Sequence, residues 1–91
     1  MDFEWDENKR RSNIEKHGFD FRDAPRLFDD DYVEVKARAG SGGEERFLAT
    51  GVVNEKYVTV IHTERDGATR IISFRKARKN EHRRYQAVHG R

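Results

Sequence analysis

Hydrophobic residues are sparse at the start of the chain, and their spacing predicts a short strand followed by a helix. Phe3 and Trp5 alternate with polar neighbours, which indicates a strand. Asp6 then fits as the N-cap of a helix that ends at about His17, where Gly18 can adopt the left-handed C-cap conformation. Because this helix has a single aliphatic residue, we expect it to be polar and weakly buried.

A second, short helix is predicted from apolar residues that recur at helical spacing, namely Phe21, Ala24, Leu27 and Phe28. Its N-cap could be Asp20 or Asp23. Pro25 favours Asp23, because proline belongs in the first turn of a helix.

From residue 32 onward the hydrophobic period changes to two, which predicts four strands at about 32–37, 46–51, 57–64 and 68–74. The Gly-rich stretch 40–43 is interpreted as a flexible hairpin loop. Asn54-Glu55 and Asp66-Gly67 are the other turns, and Asp-Gly is a favoured hairpin dipeptide. We therefore predict a single α+β domain over residues 1–91: a short N-terminal strand, two helices, a four-stranded antiparallel meander and a C-terminal helix.

The Asp66-Gly67 turn also predicts a register, because a two-residue loop pairs Arg65 with Ala68. That register sets three further pairs opposite each other: His62 and Ile71, Val60 and Ser73, and Val58 and Arg75. One face of the hairpin then looks like core, with Tyr57, Thr59, Ile61, Ile72 and Phe74. The other face is expected to be a partly wet floor, with Val58, Val60 and Ile71 beside His62, Ser73 and Arg75.

Composition limits the kinds of protein that this chain can be. Only 34% of its 91 residues are hydrophobic while 40% are charged, so we expect a modest core. The absence of cysteine excludes a disulfide framework and a Cys-ligated zinc site. The chain start has no apolar signal core and no run is long enough to cross a bilayer, so a soluble, cytoplasmic protein is expected.

Positive charge is concentrated at the end of the chain. From Arg70 to Arg91 there are eight Lys or Arg residues against Glu81 alone, a net charge of +7, whereas the whole chain carries only +2. Residues 1–34 carry a net charge of −5. A localised cationic strand and helix make polyanions such as RNA the first partners to consider.

Several stretches together carry a resemblance to a known family: WDENK at 5–9, Asn13, KHGFDF at 16–21, Ala24, Glu45-Arg46, Gly51, and RIISFRKARKNEHRRY at 70–85. In their order and spacing they cover nearly the whole chain. The chain resembles the BrnT family of bacterial type II toxins.

The resemblance implies a RelE-like ribonuclease toxin that inhibits translation and growth. It also implies neutralisation by a BrnA-like ribbon-helix-helix antitoxin, whose DNA-binding region lets the complex bind its own operator. No cofactor is implied. The alternative function is a non-enzymatic basic module that binds RNA or an acidic protein.

Metal-independent RNA cleavage needs cations that stabilise the phosphorane, and arginine suits this role because its planar fork holds two phosphate oxygens. We expect Arg75, at the end of the fourth meander strand, to fill it, although a solvated strand-end arginine is the alternative. Five further cations are candidates for gripping the RNA backbone: Arg65, Arg70, Arg78, Lys79 and Arg84.

Cleavage also needs a base for the 2′-hydroxyl proton and an acid for the leaving 5′-oxygen. The candidates are Lys9 with His17, or Glu81 with Tyr85. His17 could equally complement the helix dipole, and Lys9, Asn13 and His17 form a polar column that is either exposed or lines a cleft. Glu81 could be a base with a raised pKa, or could pair with Arg75, Arg78 or Arg84 and have only a structural role.

The remaining candidates have simpler alternatives. Tyr85 could donate a proton, stack on a base, or only pack the last helix against the sheet. His62 is of interest only through the predicted register, and His82 and His89 look exposed. No pair of histidines has a convincing ligand spacing, so we expect no metal site.

Overall fold

The computed structural model describes residues 1–37 and 44–90, which contain three α-helices and five strands. In chain order the elements are β1 (Phe3–Glu4), α1 (Glu7–His17), a 3-10 turn (Phe21–Asp23), α2 (Pro25–Phe28), β2 (Tyr32–Lys36), β3 (Phe47–Val53), β4 (Lys56–Arg65), β5 (Ala68–Lys76) and α3 (Lys79–His89). The predicted α+β class and order of elements are confirmed. The loop predicted at 40–43 lies outside the described residues. Within residues 1–37 and 44–90 no helix is long and apolar enough to span a membrane.

All five strands form one mixed sheet in the order β1-β5-β4-β3-β2. Strands β2 to β5 make the predicted antiparallel meander. The prediction did not assign a partner to β1, which pairs in parallel with β5 and sets Phe3 opposite Thr69 and Glu4 opposite Arg70. The sheet therefore has five strands, with β1 covering part of the outer edge of β5.

Both predicted two-residue turns are present. Asn54 and Glu55 have φ angles of 50° and 66°, and Asp66 and Gly67 have 51° and 82°. Positive φ at both central residues is the signature of the turn that matches the right-handed twist of a hairpin. These turns lie at opposite ends of β4.

The predicted register of the last hairpin is right near its turn and wrong beyond a bulge. Arg65 pairs with Ala68 and His62 with Ile71, as predicted. The register then shifts between His62 and Ile61, because β5 contains one extra residue, Ile72. As a result Val60 lies opposite Phe74 rather than Ser73, and Val58 opposite Lys76 rather than Arg75.

The face of the sheet that forms the core is the opposite of the predicted one, and the bulge places Phe74 on it. Phe74 joins Val58, Val60 and Ile71 on one face, and all four are at most 1% exposed. Phe21, Ala24 and Leu27 from the segment around α2 cover this face and are fully buried. The predicted wet floor is therefore the core, while Tyr57, Ile61 and Ile72 on the predicted core face are only partly buried.

The two ends of α1 are capped as the sequence predicts. Asp6 accepts hydrogen bonds from the backbone N–H groups of Asn8 and Lys9, and Gly18 has a φ of 78°. The second predicted cap, Asp23, is wrong. Asp20 instead caps the 3-10 turn through the N–H of Arg22, and α2 begins at Pro25 without a side-chain cap.

A buried amide attaches α1 to the sheet, since the helix has no apolar stripe. Asn13 donates to the carbonyl oxygens of Phe19 at 2.9 Å and Phe74 at 2.7 Å, and accepts from the Phe74 N–H at 3.1 Å. Phe74 lies on the edge of β5 beyond the end of β1. The amide therefore occupies the position that a further strand would take, and it satisfies backbone groups that would otherwise be buried without partners.

Replacing Asn13 with alanine should destabilise the protein by about 3 kcal/mol, because three buried backbone groups lose their partner. Urea unfolding of the purified variant measures the change. Asn8→Ala on the same helix is the control, since the exposed side chain of Asn8 makes no hydrogen bond in the described part of the chain. Equal stability of the two variants would contradict this account of how α1 is held.

Candidate active site

A cleft of about 670 Å³ lies where α1 ends, β4 begins, β5 ends and α3 begins. We refer to it as the cationic cleft. Its lining consists of His17, Phe19, Lys56, Tyr57, Lys76, Ala77 and His82. None of these residues is acidic, and four of them carry basic side chains. The cleft thus offers positive charge and aromatic surface together, which is the combination that single-stranded nucleic acids bind.

His17 is the group in the cleft with the clearest electrostatic signature. It is the last residue of α1 and is partly buried. Burial lowers the pKa of His17 below its usual value, and repulsion from Lys16 and Arg75 lowers it further. At neutral pH the imidazole is therefore uncharged and able to accept a proton.

The opposite side of the cleft is formed by a pair of stacked rings. The centroids of Tyr57 and His82 are 3.8 Å apart with an interplanar angle of 36°, and Tyr85 contacts Tyr57 edge-on at 5.6 Å. His82 is half-buried, and its Nε2 makes no hydrogen bond within the described residues. The expectation that His82 and His89 are exposed is therefore wrong, since His89 is also half-buried and packs against Tyr85.

Two exposed lysines supply the remaining charge. Lys56 is the first residue of β4, and its Nζ lies 5.9 Å from the centroid of the Phe19 ring. Lys76 is the last residue of β5, opposite Val58. Neither lysine forms an ion pair within 1–37 or 44–90, so both ammonium groups are available to an anionic ligand.

Beneath the cleft, a buried ion pair joins the sheet to α3. Both Nη atoms of Arg75 donate to the carboxylate of Glu81, at 2.8 and 2.9 Å. The carboxylate also accepts from the Arg78 backbone N–H at 2.8 Å and from the Thr59 hydroxyl at 2.9 Å. Because the single hydroxyl proton of Thr59 goes to Glu81, the Thr50 hydroxyl, 2.8 Å away, must donate to Thr59.

This network decides whether Glu81 is a base with a raised pKa or a partner in an ion pair. Burial alone raises the pKa of the Glu81 carboxyl, but the hydrogen bonds from Arg75, Arg78 and Thr59 outweigh it and lower the pKa to about 2. The residue is only 2% exposed. Glu81 therefore remains ionised near neutral pH and forms the ion pair that the sequence left open, with Arg75 rather than Arg84.

The other predicted site residues are not brought to the cleft. Lys9 lies two turns before His17 and is exposed. Tyr85 is 2% exposed and packs between Tyr57 and His89.

The hairpin tip is remote from the cleft. Arg65 pairs there with Glu44 at 3.0 Å, and Arg70 pairs with Glu4 at 2.6 Å. Since β4 runs from the cleft to this tip, the two ends are roughly 30 Å apart.

The basic residues predicted on the last helix do not all lie at the cleft. Arg78 and Lys79 are exposed at the start of α3, next to the cleft, whereas Arg84 is half-buried one turn further on. Sequence reasoning did not single out Lys56, Tyr57 or Lys76. The predicted hairpin at Asp66-Gly67 contains the signal, because antiparallel pairing through that turn places the start of β4 beside the end of β5.

Comparison with known proteins gives one result. A family model described as the ribonuclease toxin BrnT of type II toxin-antitoxin systems matches residues 5–81. No curated protein matches the chain. The matched range includes α1, strands β2 to β5 and Glu81, and so contains most of the cationic cleft. Within the described residues no three His, Asp or Glu side chains are grouped as a metal site.

Replacing Glu81 with glutamine should destabilise the protein at pH 7 by about 3 kcal/mol, the free energy that corresponds to a pKa lowered from 4.5 to about 2. A lowered pKa in the folded state stabilises the fold above the unfolded value and loses this effect as the pH falls. The stability difference between wild type and variant should therefore shrink between about pH 5 and pH 2.

Urea unfolding at a series of pH values measures this difference. Glu15→Gln is the matched control, because Glu15 is exposed on α1 and its side chain forms no hydrogen bond or ion pair in the described part of the chain. A stability gap for Glu81→Gln that is the same at pH 7 and pH 2.5 would refute the ionic role.

Proposed function

This chain belongs to the BrnT family of ribonuclease toxins, and on that premise we propose that it cleaves RNA in the cationic cleft without a metal ion. The observation that carries the proposal is the composition of the cleft, with four basic side chains, two further aromatic rings and no carboxylate. A phosphodiester has its negative charge next to the cations, and its bases can stack on the rings.

In the proposed reaction, neutral His17 takes the proton of the 2′-hydroxyl. The 2′-oxygen then attacks the adjacent phosphorus while the bond to the 5′-oxygen breaks, which leaves a 2′,3′-cyclic phosphate and a 5′-hydroxyl. His82, the second imidazole of the cleft, is the proposed donor of the proton to the leaving oxygen. Lys56 and Lys76 stabilise the charge that accumulates on the phosphorane.

Arg75 does not bind the phosphate directly in this proposal. Its guanidinium is held by Glu81 and is only 12% exposed. Burial is the main cause of the lowered pKa of His17, and the positive charges of Lys16 and Arg75 lower it further, which favours the unprotonated imidazole. Arg75 and Glu81 are thus positioning residues in this proposal, and Arg78 and Lys79 hold the RNA backbone at the mouth of the cleft.

A type II toxin has an antitoxin partner, and we propose that here it is a BrnA-like ribbon-helix-helix protein. The exposed basic residues at the start of α3 would complement an acidic neutralising segment, which would then compete with RNA for the same surface. Operator binding by the complex would occur through the antitoxin.

On this proposal the fold is RelE-like and the toxin inhibits translation.

Purified protein should cleave single-stranded RNA in excess EDTA, and the products should carry 2′,3′-cyclic phosphate ends. Gel analysis of a labelled RNA, followed by acid opening of the cyclic phosphate, measures both properties. Cleavage that appears only after Mg²⁺ is added would refute the metal-independent reaction. Salt-sensitive binding without any cleavage would identify a non-enzymatic module.

Replacing His17 with asparagine should lower kcat at pH 7 by about 100-fold or more, because a positioned base contributes rate factors of that order. In the wild type, activity should rise with pH as the base loses its proton. Since the pKa of His17 lies below 6.5, the midpoint of that rise should also lie below pH 6.5.

The pH profile of kcat/KM tests this assignment, with His89→Asn as the matched control because His89 does not line the cleft. Folding of both variants is checked by circular dichroism. A His17→Asn enzyme with the wild-type rate and the same acidic limb would remove His17 from the reaction.

A further inference from the structure

A second cavity of about 280 Å³ adjoins the cationic cleft and differs from it in character. It shares Phe19 and Lys56 with the cleft, so the two cavities are neighbours. Ile14 and Val53 provide apolar walls, and Asp20 and Asp23 provide carboxylates. We refer to it as the acidic pocket. In ligand sites, apolar walls provide contact area while a few placed polar groups fix the orientation and identity of the ligand.

The two carboxylates of the acidic pocket are not equivalent. Asp20 is fully engaged, since one oxygen accepts from Arg10 at 3.1 Å and the other from the Arg22 N–H at 3.0 Å. Asp23 is half-buried, and its side chain makes no hydrogen bond or ion pair within the described residues. Asp23 is thus the acceptor that the fold leaves available to a ligand.

We propose that the acidic pocket binds a guanine base of the RNA substrate and so determines where the chain is cut; this rests on the proposed function. Guanine presents two adjacent donors, N1–H and the N2 amino group, on its Watson–Crick edge. Two carboxylate oxygens of Asp23 match this pair in a bidentate arrangement. Phe19, at the boundary with the cleft, supplies a ring on which the base can stack.

The chemistry of the other three bases fits the pocket less well. Adenine and cytosine each present one amino donor on this edge, next to a ring nitrogen whose lone pair the carboxylate repels. Uracil presents a single N–H between two carbonyl oxygens, both of which face repulsion. A carboxylate at this position therefore favours guanine, because both guanine donors are paired. It disfavours the other three bases, because it repels their ring nitrogens or carbonyl oxygens.

The charges around the pocket also indicate which part of the nucleotide enters it. A phosphate would be repelled by Asp20 and Asp23 in the acidic pocket, whereas the cationic cleft has Lys76, His17 and no carboxylate in its lining. Lys56 lines both cavities, and its ammonium lies 5.9 Å from the Phe19 ring centroid. The backbone is thus attracted to the cationic cleft and the base to the acidic pocket. Phe19 and Lys56 lie between the two, where a nucleotide would span the junction.

Binding of the four nucleoside 5′-monophosphates tests the inference without any cleavable phosphodiester. Guanosine monophosphate should bind about tenfold more tightly than the other three, the discrimination expected of one bidentate pair. It should also shift the methyl NMR signals of Ile14 and Val53, which line the pocket. Asp23→Asn should abolish the preference, because an amide offers one acceptor in place of two.

The matched control is Asp29→Asn, since Asp29 is exposed, makes no side-chain hydrogen bond in the described part of the chain, and does not line the pocket. It should keep the guanine preference. Equal binding of the four nucleotides, or a preference unchanged in Asp23→Asn, would overturn the inference even if the protein cleaves RNA. Conversely, a guanine preference that depends on Asp23 supports the site even if no cleavage occurs, in which case only the proposed catalysis fails.

Discussion

A carboxylate that is 2% exposed must have its charge compensated, and for Glu81 the partners come from β4, β5 and the residue before α3. Removing Arg75 would leave the buried charge unpaired, and losing either of the other contacts would remove a hydrogen bond to it, so the three elements are held in a single arrangement. That arrangement positions α3 over the sheet and brings His82 beside Tyr57. The same guanidinium that neutralises Glu81 also acts on His17 at the end of α1. The cationic cleft depends on this ion pair although Glu81 does not line it.

Because of the bulge at Ile72, β5 contributes Phe74 to the core on one face of the sheet and Arg75 to the ion pair on the other face. Without the extra residue, Phe74 and Arg75 would exchange faces relative to β4. Phe74 would then leave the core that covers Val60, and a guanidinium would enter it at a large cost in desolvation. With the bulge, Phe74 packs in the core and Arg75 reaches Glu81 on the α3 face. Core packing and the charge network therefore select the same register.

For the candidate site, the sequence supplied candidate residues, and the tertiary structure decided which of them lie together. The cluster of basic residues in 70–91 pointed to RNA, and His17 was a candidate from its place at the end of α1. Lys56 and Lys76 carry ordinary charges at strand ends, and nothing in their neighbours distinguishes them from solvated lysines. They become significant only when β4, β5, α1 and α3 converge on one cleft. Such convergence depends on contacts between residues that are distant in sequence.

The sequence by itself determined the local features of the fold, because these depend on residues within a few positions of one another. The caps at Asp6 and Gly18, the turn at Asp66-Gly67 and the pairing of His62 with Ile71 are of this kind. Only the tertiary structure decided which face of the sheet is buried and that Glu81 is an ionised partner of Arg75. Burial and pKa depend on what packs against a residue from the rest of the chain, and periodicity in one strand does not contain that information.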